Sequence, residues 1–77
     1  MAEVPFPRLS EKEPAAEGVL ATWFVSDGDQ VASGQLLGEV MVDKVAAEVV
    51  APAAGRVRLL VGEGQVIRQG EVIARVD

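Results

Sequence analysis

The stretch Glu17-Gly18-Val19-Leu20-Ala21-Thr22-Trp23-Phe24-Val25-Ser26-Asp27-Gly28 is answered later in the chain by Ala54-Gly55-Arg56-Val57-Arg58-Leu59-Leu60-Val61-Gly62-Glu63-Gly64. Gly18 corresponds to Gly55 at an offset of 37, whereas Gly28 corresponds to Gly64 and Gly34 to Gly70 at an offset of 36, so the two copies differ by one residue between the first and second glycine. An open solenoid needs at least three stacked units to bury a continuous core, and two copies predict a closed pair of halves instead. The segment around Asp43 and Lys44 joins them.

The period inside each copy is that of a strand. Val57, Leu59 and Val61 alternate with Arg56, Arg58 and Leu60, which predicts one buried and one wet face. Carried into the first copy, that register turns Leu20, Thr22 and Phe24 inward and Val19, Ala21, Trp23 and Val25 outward. Gly28, Gly34, Gly64 and Gly70 mark turns at matching places. The pattern predicts strands near 2–6, 18–25, 30–32, 35–42, 45–50, 54–61, 66–68 and 71–76, with a polar loop from Pro7 to Ala16 and no helix.

Between the copies lies a hairpin. Pairing Val42 with Val45 leaves Asp43-Lys44 as a two-residue turn, sets Val40 opposite Ala47 and Glu39 opposite Glu48, and gathers Val40, Val42, Val45, Ala47 and Val49 on the core face. A slip of one residue turns that whole set toward water, so the register is strongly specified. Two-residue hairpin turns favour Asn-Gly or other glycine-containing pairs because they need positive φ, and Asp-Lys is not such a pair. Either the turn tolerates it as a solvated tip or the lysine is displayed for a purpose.

Composition narrows the possible chemistry. Seventy-seven residues make one domain, which buries only about 60–65% of the surface of its unfolded chain. There is no Cys and no His, so disulfides, thiolate metal sites and the commonest general base are all excluded. A net charge of −5 argues against a nucleic-acid surface and favours partners that present basic patches. The apolar runs fall short of a membrane span, no export leader follows Met1, and the expectation is a soluble cytoplasmic protein. Lysine occurs only as Lys12 and Lys44.

The succession Glu17-Gly18, Trp23, Gly28-Asp29, Val31, Gly34, Glu39-Val40-Met41-Val42-Asp43-Lys44-Val45, Glu48, Pro52, Gly55 and Val57 resembles the lipoyl domain of the acyltransferase (E2) component of 2-oxo acid dehydrogenase complexes. The similarity runs from Val4-Pro5 to Val76. It implies an all-β fold, a flattened barrel of two four-stranded antiparallel sheets with quasi-twofold symmetry and the lysine at the tip of a central hairpin. It also implies lipoic acid joined by an amide bond to Lys44, with Asp43 serving recognition of the turn. The domain is then a non-catalytic carrier, monomeric as isolated, with a lipoate ligase or lipoyl transferase, the thiamine-dependent dehydrogenase (E1), the acyltransferase domain and dihydrolipoamide dehydrogenase (E3) as partners. The turn departs from the commonest Glu-Thr-Asp-Lys-Ala pattern at Met41, Val42 and Val45, and the Pro7–Ala16 loop is longer than usual; that loop bears on partner choice.

Three alternatives share features with this pattern. A biotin carrier uses the same lysine turn but is usually flanked by Met on both sides, where this chain has Asp43 and Val45. A glycine-cleavage carrier is longer and carries helices. An unmodified lipoyl-like interaction module of the efflux-pump type separates its halves with a helical insert, whereas here they are contiguous. Applied to Asp43, the 36-residue offset puts its counterpart at Pro7 or just past Asp77, so both termini are expected at the end opposite Lys44.

Overall fold

The computed structural model describes residues 2–9 and 16–77. Eight strands follow one another: β1 Ala2–Pro5, β2 Glu17–Trp23, β3 Gln30–Val31, β4 Leu36–Val42, β5 Val45–Val50, β6 Gly55–Leu59, β7 Val66–Arg68 and β8 Val72–Val76. Each overlaps an expected strand, with ends at most two residues apart. No helix is present among the described residues, so none is long and apolar enough to cross a membrane. Part of the expected Pro7–Ala16 loop, with Lys12, lies outside the described residues.

The strands form two four-stranded antiparallel sheets, ordered β1-β8-β6-β3 and β5-β4-β2-β7. Exchanging β1 with β5, β2 with β6, β3 with β7 and β4 with β8 converts one order into the other, which is the quasi-twofold that the resemblance implies and with which the repeat agrees. The hydrogen bonds obey the same exchange. Gly28 N–H donates to Val57 O and Gly64 N–H to Leu20 O, while Phe24 N–H donates to Leu37 O and Leu60 N–H to Ile73 O. The core is equally paired: Leu37 with Ile73, Val40 with Val76, Val31 with Ile67, Leu20 with Val57, Val4 with Val49 and Phe6 with Ala51, all buried in one cluster. Each large aliphatic side chain removed from water in this way contributes about 1.5–3 kcal/mol.

The register of the first copy differs from expectation, and the cause is the one-residue step in the repeat. Leu20 pairs with Val40 but Thr22 pairs with Glu39, so β2 carries a bulge there. Beyond the bulge every side chain changes face. Phe24 is therefore 56% exposed rather than inward, matching its counterpart Leu60 at 48%. Thr22 is half-buried, and Trp23 and Val25, expected outward, pack against the core as Leu59 and Val61 do in the second copy. The residue that shifts the offset from 37 to 36 is the bulge itself.

Candidate functional site: the lysine turn

β4 is flanked by β5 and β2 and buries Leu37, Gly38, Val40 and Val42, so the strand leading into the turn is anchored by its core face. Its pairing with β5 is the expected one: Val42 faces Val45, Val40 faces Ala47 and Glu39 faces Glu48. Asp43 and Lys44 remain as a two-residue turn, and Asp43 adopts φ 55°. It is the only non-glycine residue of positive φ among those described. Asp is among the few L-residues that tolerate this region, at about 1 kcal/mol, so Asp43 supplies here the backbone sign that Asn-Gly supplies elsewhere.

Lys44 is exposed, and no hydrogen bond or ion pair joins it to another described residue. Val45, expected on the core face, is instead 50% exposed although its partner Val42 is buried at 3%, because β5 is the edge strand of its sheet and the core does not extend beneath it at the tip. The lysine is held by a rigid base and is itself free.

That base depends on a close approach beneath the hairpin. A Cβ on Gly18 would lie 2.6 Å from the Met41 carbonyl oxygen and 2.8 Å from Val42 Cγ2, and would also strike Phe6 Cζ. Only a residue without a side chain lets β2 run this close to β4 and Phe6. At the same end Gln69, 6% exposed, donates from Nε2 to Ala16 O at 3.1 Å and ties the close of the 7–16 loop to the turn after β7.

The described chain ends lie at the other end. Arg68 pairs with Glu17, two residues before Val19, which pairs with Met41, so the turn after β7 is near Lys44. β8 leaves that end at Val72, opposite Pro5, and finishes at Val76, opposite Ala2. The symmetry counterpart of the lysine turn is thus past Asp77. Pro7, the other candidate, follows Pro5 on the Lys44 side.

A pair of carboxylates absent from the sequence reading fastens the two halves together. Asp27 Oδ1 accepts the Leu59 N–H at 2.8 Å, and Glu63 Oε2 accepts the Trp23 N–H at 2.8 Å and the Thr22 hydroxyl at 2.9 Å. Asp27 and Glu63 are 36 residues apart, as are Trp23 and Leu59, so aligning the repeats would have revealed them. The Trp23 N–H first, then the Thr22 hydroxyl, hold the Glu63 carboxyl below the usual glutamate range. No group of three His, Cys, Asp or Glu among the described residues could hold a metal ion.

Two four-stranded sheets with Lys44 at the hairpin tip make an all-β domain that presents one exposed primary amine among the described lysines. The family model described as "Biotin-requiring enzyme" matches residues 2–76, and the chain belongs to this biotinyl/lipoyl-attachment family. It is 38% identical over 76 residues to the lipoamide acyltransferase component of the branched-chain alpha-keto acid dehydrogenase complex of Bacillus subtilis, covering 97% of this chain and 18% of that one. It is 40% identical over 77 residues to the dihydrolipoyllysine-residue succinyltransferase component of the 2-oxoglutarate dehydrogenase complex of Staphylococcus saprophyticus, covering 99% and 18%. The chain therefore spans about a fifth of the length of these relatives. The solution structure of the lipoyl domain of the 2-oxoglutarate dehydrogenase complex from Azotobacter vinelandii matches with a TM-score of 0.80 at 28% identity, over 100% of this chain and 96% of that one.

Proposed function

We propose that the chain is a lipoyl carrier domain in which Lys44 bears lipoic acid through an amide bond, serving a 2-oxo acid dehydrogenase complex. The observation that carries this reading is Lys44, exposed and without a described partner at the tip of the hairpin whose register and buried base are set by β4. The donor chemistry fits, because an amide needs an unpaired primary amine accessible to a ligase, and among the described residues Lys44 is the one lysine. Once attached, the lipoyl group supplies a dithiolane able to take up an acyl group together with an electron pair.

The residues of this chain hold and present. Val42 and Val40 fix the root of the turn in the core, Asp43 bends the backbone and is read by the modifying enzyme, and Lys44 projects from the end remote from Ala2 and Val76. A tether at that remote end leaves the lysine free to visit several active sites, and tethering raises its effective concentration at each. No catalytic role is assigned to any residue. The partners are a lipoate ligase or lipoyl transferase, the thiamine-dependent dehydrogenase, the acyltransferase domain and dihydrolipoamide dehydrogenase, met in the cytoplasm by a chain that is monomeric as one isolated domain over 1–77.

The family also contains biotin carriers, so the test uses both ligases. After co-expression with a lipoate ligase the intact mass rises by one lipoyl increment, and in Lys44→Ala it does not. A biotin increment alone would assign the chain to carboxyl transfer.

A further inference from the structure

One row of outward-facing side chains crosses the whole sheet that carries Lys44. Ala46 on β5 pairs with Met41 on β4, Met41 with Val19 on β2, and Val19 with Val66 on β7. All four are apolar, and they are not core: Val66 is 57% exposed, Met41 36%, Ala46 exposed and Val19 half-buried. Charged side chains border half of the row on each side. Glu39 and Glu48 face each other beyond it, and Glu17 pairs with Arg68 on the side of the turn.

We infer that this row is the resting berth of the lipoyl chain attached at Lys44. The inference rests on the carrier reading and adds to it where the attached chain lies between visits. Three observations carry it. The row begins on the hairpin that bears Lys44, two residue rises, or about 7 Å, below the turn, well within reach of a lysine stem extended by an eight-carbon acyl chain. It then runs about 14 Å from β5 to β7 at the spacing of neighbouring strands, long enough to receive an extended chain lying across them. Finally, its chemistry is that of the occupant, an uncharged hydrocarbon, which gains by leaving water only where the surface beneath is also apolar. The glutamates at one border and the Glu17–Arg68 pair at the other offer such a chain nothing, so the row is a track rather than an open patch. Met41 suits the role, since an unbranched thioether adapts to a moving apolar neighbour.

The berth is tested on the lipoylated domain by amide and methyl NMR, with intact mass establishing that Lys44 is loaded. Lipoylation is expected to shift the resonances of Met41, Val19 and Val66 as well as those of the turn, with nuclear Overhauser contacts between the acyl methylenes and the Met41 methyl. Met41→Glu, an outward-facing change that leaves the core intact, is expected to abolish the shifts at Val19 and Val66 while the mass increment stays. Val66→Thr is expected to weaken them. Shifts confined to Val42–Val45 in a fully loaded sample would overturn the berth and leave the carrier reading standing. So would a row that responds only when a partner enzyme is added, which would make it a docking surface. Absence of the mass increment would overturn both.

Discussion

Replacing Gly18 by Ala adds one methyl group at the point where the floor of the lysine hairpin is tightest. The new Cβ would stand 2.6 Å from the Met41 carbonyl oxygen and 2.8 Å from Val42 Cγ2, with Phe6 Cζ closer still. Phe6 is 1% exposed and cannot swing into solvent without giving up its own burial. The carbonyl belongs to β4 and moves only with the β2–β4 ladder. Overpacking of this kind costs about 1–3 kcal/mol, and contact with immobile backbone places this case in the upper part, about 2–3 kcal/mol. For a domain of this size each kcal/mol lowers Tm by about 4–8 °C, so the expected loss is about 8–24 °C. Gly62→Ala is the control: nothing lies within 4 Å of its Cβ, and its φ is not in the left-handed range. There the loss of unfolded-state freedom stabilises by about 0.4–1 kcal/mol or has no effect. Thermal unfolding followed by far-UV circular dichroism and by the fluorescence of Trp23, the sole tryptophan, reads both variants. Equal Tm values for the two would refute the close-approach argument.

The quasi-twofold makes its own demand: Leu37→Ala and Ile73→Ala, at equivalent fully buried positions, should each cost about 2–5 kcal/mol in urea unfolding, and a loss at one position alone would show that the halves do not share one core. The depressed pKa of Glu63 gives stability that is present above the ordinary glutamate value of 4.5 and lost as pH falls through the lower folded value. Glu63→Gln should flatten that part of the Tm–pH curve below pH 4.5, and an unchanged acid limb would remove Glu63 as its source. Asp43→Val places a β-branched residue at φ 55° and should destabilise by about 1–2 kcal/mol, whereas Asp43→Gly should lie within about 1 kcal/mol of the parent; the reverse order in chemical denaturation would show that the turn does not hold this conformation.

How much of this was readable beforehand differs from element to element. The β4–β5 hairpin was read residue by residue because a two-residue turn and a one-sided core leave a single register. The repeat gives the likeness of the two halves but not the strand order, because it requires equivalent segments to occupy equivalent places without saying which strands are neighbours. The fault lay in β2. The glycines located the one-residue step only between Gly18 and Gly28, and one offset was carried through Phe24, whereas the bulge sits at Ala21-Thr22 and reverses the faces after it. The exposure of Val45 was also out of reach, because alternation says which face a side chain takes but not where the core stops. At the candidate site, the turn, the scarcity of lysine and the family resemblance single out Lys44. The close approach at Gly18 and the clasps by Asp27 and Glu63 depend on contacts between segments distant in sequence, and of these only the carboxylates left a trace, in the aligned repeats.

The measurement that bears most directly on the central claim is the mass of proteolytic peptides from the chain co-expressed with a lipoate ligase, run beside Lys44→Ala and Lys12→Ala. The carrier account predicts one lipoyl increment on the peptide containing Lys44, retained in Lys12→Ala and lost in Lys44→Ala. An increment on Lys12, or none on a folded chain, would contradict it.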